Sequence, residues 1–192
     1  LVKERPAAMV NPDLATGTVE IEIQQLSILN KASELPFDMG GADLEVSLPT
    51  LLDYRSLTVR HPKVQAVFRV QAAIAEAFRR VTKELGCTEV FPPTISASAT
   101  EGGAEVLKVN YFDHPAYLVQ SPQLYKQMLV GMFERVSIMT HIYRAEPSVT
   151  TRHLVESVQM DCEIGFIDSF EQLTGIMEQT FAKTVQFAQE VA

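Results

Sequence analysis

The sequence predicts an α+β protein in which helices flank an antiparallel sheet, behind a short β segment at the N-terminus. Three observations carry that prediction. Residues 18–29 alternate apolar and polar side chains, two long stretches repeat apolar residues at helical spacing, and four short apolar runs lie between those stretches. At 192 residues, 46% of them hydrophobic, the chain can bury one sizeable core, or one core and a small appendage.

In TVEIEIQQLSIL (18–29), Val19, Ile21 and Ile23 fall on one face and Glu20, Glu22 and Gln24 on the other, the pattern of a half-buried antiparallel strand. Pro12, Asp13 and Gly17 supply turn chemistry before it. One strand cannot bury its own face, so the segment reads as the end of a small barrel or sheet, and the chain as beginning within a domain. Residues 36–60, rich in Pro, Gly and Asp, read as a hinge. Beyond it Val67, Val70, Ile74, Phe78, Val81 and Leu85 make one apolar stripe on a helix from Pro62 to Leu85, ended by Gly86.

CTEVFPPTISAS (87–98) follows as an extended segment whose Pro92 and Pro93 belong at a sheet edge or a bend. Strands are expected at Val106–Tyr111, Ala116–Gln120, Val136–Tyr143 and Ser157–Phe166, with a helix starting near Pro122. A last helix, capped by Asp168 or Ser169, should carry Phe170, Leu173, Met177, Phe181 and Val185 inward.

Composition narrows the function classes. A formal net charge of −8 argues against a broad basic surface for non-specific nucleic-acid binding, though not against a local basic site. No apolar run approaches the roughly 18 residues of a membrane span, and LVKERPAAMV has no secretory apolar core, so the chain reads as cytoplasmic and free of membrane. Cys87 and Cys162 lack CxxC spacing and a histidine cluster, which points to two buried thiols and to no metal site within the chain.

Three stretches place polar groups where strands end and helices begin: ATEGGAEV (99–106), QSPQLYKQ (120–127) and YRAEPSVTTRHLVE (143–156). Glu101 with Gly102 and Gly103 offers a carboxylate beside a backbone that can approach a ligand closely. Ser121 is placed to cap a helix that Pro122 starts, with Gln123 and Lys126 on one face of its first turn, where an ammonium suits a carboxylate. Arg144, Arg152 and His153 bracket a Ser/Thr/Pro loop with cationic donors fit for phosphates, and Glu146 is an acceptor fit for an amine. Taken singly, each has a plainer reading as a surface turn, a solvated lysine or a salt-bridged hairpin.

In order and wording, these stretches resemble the class II aminoacyl-tRNA synthetases, and among them the aspartyl enzymes. VNPDLATGTVEIEIQQLSILNKASELPF resembles the end of that family's OB-fold anticodon-binding barrel with its hinge. LDYRSLTVRHPKVQAVFRVQAAIAEAFRRVTKELGCTEVFPPTI resembles motif 1, with Pro93 at the motif proline of the dimer interface, and YRAEPSVTTRHLVESVQMDCEIGF resembles motif 2. QSPQLYKQ carries the lysine that the family uses to read the aspartate side chain.

The resemblance implies a class II synthetase antiparallel sheet flanked by helices. It divides the chain into a barrel remnant over 1–35, a hinge over 36–60 and the first half of a catalytic domain over 61–192. It implies that Glu101 holds the substrate ammonium, that Ser121 and Gln123 position L-aspartate, and that Lys126 selects its side chain. Arg144 would bridge the aspartate carboxylate and the ATP α-phosphate. Glu146 would accept from the adenine amino group, and Arg152 and His153 would reach the distal phosphates of ATP, with Leu154 also in the ATP site. Expected partners are L-aspartate, ATP, tRNA(Asp) with tRNA(Asn) as a further possibility, and a second copy in a homodimer.

The sequence departs from the family at two positions and ends early. Ser157 stands where the family places an aromatic for adenine, and Pro147 stiffens the loop after Glu146. No Gly-x-Gly-x-x-Arg of motif 3 occurs, and the Mg2+ ligands are expected in the part that would follow. The chain is thus expected to be an inactive fragment of an aspartate–tRNA ligase. Two other readings stand beside it: a catalytically dead paralog serving as a dimerisation or regulatory module, and an asparaginyl-tRNA synthetase, against which Lys126 argues.

Overall fold

The structure, a computed structural model, describes residues 1–100, 105–146, 150 and 152–191. Its elements in chain order are β1 (Val2–Glu4), β2 (Val19–Ile21), α1 (Leu48–Asp53), α2 (Arg55–Thr58), α3 (Pro62–Glu84), β3 (Thr88–Glu89), β4 (Ile95–Ser96), β5 (Lys108–Tyr111), β6 (His114–Leu118), α4 (Gln123–Phe133), β7 (Arg135–Tyr143), β8 (Glu156–Ile164) and α5 (Phe170–Val191). Contacts divide the chain into two compact units, Leu1–Leu51 and Leu52–Ala192.

In the first unit β1 and β2 form an antiparallel ribbon with Lys3 opposite Glu20. Gly17 closes the turn between them, and a Cβ there would collide with the Asn11 carbonyl, so only glycine fits. The expected strand over 18–29 is corrected to three residues, and its apolar face is not covered: Ile21 and Ile23 are 74% and 69% exposed. A two-stranded ribbon has no second layer to bury that face. Two short helices, α1 and α2, occupy part of the stretch read as a hinge.

In the second unit α3 runs as the spacing requires. Pro62 takes its first turn, His61 Nδ1 accepts the Lys63 N–H at 3.3 Å, and Gly86 ends it at φ +77°. Arg135 Nη1 donates to the Leu85 carbonyl at 2.9 Å, satisfying a group the helix end leaves open. The burial of the stripe is only half as expected. Phe78 and Val81 are buried, whereas Val67 and Val70 are exposed. The inner contact of α3 with α5 is made by small residues, Ala73 and Ala77 against Ala188, which let the helix axes approach closely. Arg80 stacks over Phe187 at 3.9 Å and Lys183 pairs with Glu84 at 3.2 Å on the flanks of that contact.

Two small sheets sit beside these helices. β4, β6 and β5 form one, antiparallel throughout, with Ile95 opposite Leu118 and Asn110 opposite Pro115. β3, β7 and β8 form the other, in which β7 and β8 pair antiparallel over nine residues, from Arg135 opposite Ile164 to Tyr143 opposite Glu156. β3 joins β7 in parallel, an exception to the purely antiparallel expectation, because the crossover between them, through β4, β5, β6 and α4, returns the chain to the starting end of the sheet. Pro92 and Pro93 lie between β3 and β4, where the chain passes from one sheet to the other, and Pro93 is exposed.

The inward stripe expected on α5 is also corrected. Leu173, Ile176, Met177, Phe181 and Val185 face Ile74, Phe78, Met160 and Ile164 across an apolar groove of about 660 Å³. The groove is open: Met177 is 64% and Phe181 74% exposed. At the start of the helix, Ser169 Oγ accepts the Gln172 N–H at 3.2 Å while Gln172 Oε1 reaches back to the Asp168 N–H at 2.8 Å. The two thiols are half-buried rather than buried, and they meet. A hydrogen bond from Cys162 draws the Cys87 thiol below its ordinary range, against burial and with help from Arg135, while Cys162 is pushed up by that bond and by burial.

Candidate amino-acid and nucleotide site

The β7–β8 hairpin has two unlike faces. Because side chains alternate, Met160, Cys162 and Ile164 turn to the groove beneath α3 and α5, which Asp161 also borders, and Ser157, Gln159, Asp161 and Glu163 share the other face, where Asp161 and Glu163 meet α4. Helix α4 presents Gln123, Lys126 and Val130 on its inner face, of which Lys126 is buried at 7% exposure. Its ammonium donates to Asp161 Oδ2 at 2.9 Å and lies 3.5 Å from Glu163 Oε2. Gln159 Nε2 donates to the other oxygen of Asp161, Oδ1, at 3.1 Å, so both oxygens of that carboxylate are engaged.

The lysine is thus held, not adrift. One ammonium among two carboxylates leaves a local charge of −1 in a site shielded from water, where electrostatic terms are stronger than at the surface. Asp161, Glu163 and Gln159 were missed as site residues in reading the sequence. The signal for them was present in the polar alternation of residues 157–163, within a strand whose other positions are apolar.

The start of α4 differs from expectation. Pro122 occupies the cap position with no side-chain cap bond, and Gln123 is the first helical residue. Ser121 does not cap. It is buried, and its N–H points to Thr100 Oγ1 at 3.4 Å, as the neighbouring Gln120 N–H does at 3.1 Å. The backbone conformation thereby committed at 120–121 leaves the capping place to Pro122.

At the far end of the hairpin, the Arg144 N–H donates to the Val155 carbonyl at 2.9 Å, extending the pairing by one step beyond β7. Ala145 N–H reaches the Glu105 carbonyl at 3.1 Å, tying this end to the chain that enters β5. Arg144 and Glu146 are half-buried, while Arg152, His153 and Leu154 are exposed. Thr150 organises the turn: its hydroxyl accepts the N–H groups of Arg152 and His153, each at 3.2 Å, and lies 2.7 Å from His153 Nδ1. Glu101 with Gly102 and Gly103, and Pro147, lie outside the described residues. Among the described residues no three His, Cys, Asp or Glu side chains cluster as metal ligands, and no helix is long and apolar enough to cross a membrane.

The hairpin therefore holds the Lys126 ammonium of α4 between two of its carboxylates and carries Arg152 and His153 in the segment that leads into β8. Comparison with known proteins gives this arrangement a family. Residues 47–192 match the model of tRNA synthetases class II (D, K and N). The chain is 40% identical over 173 residues to an aspartate–tRNA(Asp/Asn) ligase of Deinococcus radiodurans, covering 90% of this chain and 40% of that protein. It is 42% identical over 178 residues to the enzyme of the same name from Methanopyrus kandleri, covering 92% and 41%. The fold is similar to that of asparaginyl-tRNA synthetase from Pyrococcus horikoshii complexed with asparaginyl-adenylate, with a TM-score of 0.81 and 35% identity over 91% of this chain and 40% of that one. The chain spans about two-fifths of the length of these relatives. With three-quarters of its length inside the family model, and its antiparallel sheets and helices matching solved members, this chain belongs to the class II tRNA synthetases of the D, K and N group.

Proposed function

We propose that the whole protein is an aspartate–tRNA ligase, and that this chain supplies its reader of the aspartate side chain and part of its ATP site. The observation that supports the reading is the buried ammonium of Lys126, fixed 2.9 Å from Asp161 on a strand face lined by polar groups. An ammonium in a shielded site rewards a carboxylate and offers a carboxamide much less, which separates aspartate from asparagine. Asp161 and Glu163 hold the lysine in place and lend negative charge that suits the substrate ammonium.

Activation of aspartate joins a carboxylate oxygen to the α-phosphorus of ATP, breaks the bond to the bridging oxygen and releases pyrophosphate. Two anions must meet, so positioning and cationic donors supply the catalysis. Arg144, half-buried at the end of β7, is assigned to the carboxylate and the α-phosphate. Glu146 is assigned to the adenine amino group and the Arg152–His153 turn, with Leu154, to the ATP phosphate side. Glu101 is assigned to the substrate ammonium, and Ser121 and Gln123 to the positioning of aspartate. The aspartyl group then passes to the 3′ hydroxyl of tRNA(Asp), and of tRNA(Asn) as the names of the relatives suggest.

Residues 1–35 are assigned to the end of an anticodon-binding barrel, 36–60 to a hinge and 61–192 to the first half of the catalytic domain. Exposed Phe91 and Pro93 are assigned to contact with a second copy. The test is calorimetric titration of this chain with aspartate and a non-hydrolysable aspartyl-adenylate analogue, with asparagine as control, repeated on Lys126→Ala. Saturable binding that prefers aspartate and collapses in the variant is expected. Equal binding of asparagine, or a variant that binds aspartate as before, overturns the reading.

A further inference from the structure

The direction of α4 decides where Lys126 points, yet no side chain caps that helix. Besides its packing on β7 and β8, the path of the chain into it, through Gln120 and Ser121, bears on its orientation. Gln120 is fully buried and Ser121 nearly so, which makes their backbone N–H groups costly to leave without acceptors. Both N–H groups converge on one atom, Thr100 Oγ1, at 3.1 and 3.4 Å.

That convergence is built by the chain path. β4 runs antiparallel to β6, with Ile95 opposite Leu118 and Ser96 opposite Tyr117. A continued β4 would carry residue 100 toward the β5–β6 hairpin and away from Gln120. Instead Ser96 Oγ bonds the Ser98 carbonyl, the strand stops, and the chain turns back so that Thr100 reaches the Gln120–Ser121 backbone. A threonine hydroxyl has two acceptor positions, and both are used here.

We propose that Thr100 is a positioning residue for the carboxylate-reading site, its hydroxyl clamping the Gln120–Ser121 backbone and so aiming Lys126 at the β8 face. Lys126 lies one turn into α4, where its N–H bonds the Pro122 carbonyl at 3.0 Å, so a tilt of the first turn moves its ammonium directly. The proposal rests on the reading of Lys126 as the aspartate selector, but one arm of its test does not depend on any ligand.

The ligand-free arm is the rate at which acetic anhydride labels Lys126, read by peptide mass spectrometry on wild type, Thr100→Val and Thr100→Ser. Valine keeps the shape and removes the acceptor, and serine keeps the acceptor. Labelling about 10-fold faster in Thr100→Val and within about 3-fold of wild type in Thr100→Ser is expected, the difference being that of lost buried hydrogen bonds. Aspartate affinity by calorimetry should follow the same order. Should valine unfold the chain, Thr100→Ala is read in the same assays. Lys126 labelling unchanged in the hydroxyl-free variant, or serine behaving as valine does, overturns the proposal. A labelling difference in a wild type that fails to prefer aspartate keeps the clamp and rejects the functional reading instead.

Discussion

Lys126 and Asp161 lie 35 residues apart in the chain and meet at 2.9 Å, the lysine on a helix and the aspartate on the strand beneath it. The lysine side chain is 8% and the aspartate side chain 17% exposed, so neither charge can turn to water without moving α4 or β8. Asp161→Asn leaves Lys126 with Glu163 alone, at 3.5 Å, and is expected to cost about 2 kcal/mol, less than for a fully buried pair. Lys126→Met leaves two carboxylates on adjacent positions of one strand face and should cost a similar amount. Urea unfolding of both single variants and the double variant checks this, with a coupling of about 1 kcal/mol or more expected from the cycle.

Two helices end on residues with positive φ, and they do so with different residues. Gly86 closes α3 at φ +77°, and Glu134 closes α4 at φ 61°. Gly86→Ala has open space for its methyl group yet should cost about 1 kcal/mol through backbone strain alone. Glu134→Gly should stabilise by about 0.5 kcal/mol, the relief of that strain being partly offset by the freedom of glycine in the unfolded chain. Thermal unfolding of both variants tests the opposite signs.

Cys87 should react before Cys162. The Cys162 thiol donates to Cys87 and Arg135 adds positive charge, so despite the opposing effect of burial the Cys87 thiolate forms at lower pH than that of an ordinary cysteine. Cys162 is held protonated by the same bond. Iodoacetamide at neutral pH is expected to label Cys87 first, since the thiolate is the reactive form. Cys162→Ala removes the donor, raises the Cys87 pKa and should slow that labelling, with peptide mapping over time as the measurement.

Ser157 lies half-buried opposite Ile142, on the strand face that carries Gln159 and Asp161. An aromatic side chain there would meet an adenine ring placed along that face. Ser157→Phe is expected to tighten binding of a non-hydrolysable ATP analogue by about 1 kcal/mol, the lower end for stacking of a base on a protein aromatic. Calorimetry of the two proteins, with aspartate affinity unchanged as the control, decides it.

Ser169 caps α5 through its hydroxyl, and Ser169→Ala should cost about 1 kcal/mol. The loss should be confined to the first turn, visible as faster amide exchange of Gln172.

Much of this was legible in the sequence because it depends on local chemistry. Proline at the start of α3 and glycine after it mark a helix whichever way it packs, and the serine before α5 satisfies that helix end from three residues away. The β7–β8 pair was readable because nine-residue strands of alternating character leave few other registers. Burial was less legible. The stripes on α3 and α5 have helical spacing, but spacing does not say which turn meets a neighbour: the contact fell at Ala73, Ala77 and Ala188, while Val67, Met177 and Phe181 stayed exposed.

The sequence by itself determined helices α3, α4 and α5, strands β5 to β8, their order and the presence of a lysine fit to read a carboxylate, since all of these follow from residues close in the chain. Only the tertiary structure decided that Lys126 sits between Asp161 and Glu163, that Thr100 holds the approach to its helix, and that β3 runs parallel to β7. Those relations join residues 20 and 35 positions apart, or depend on where a helix returns the chain, and no periodicity encodes a contact of that kind.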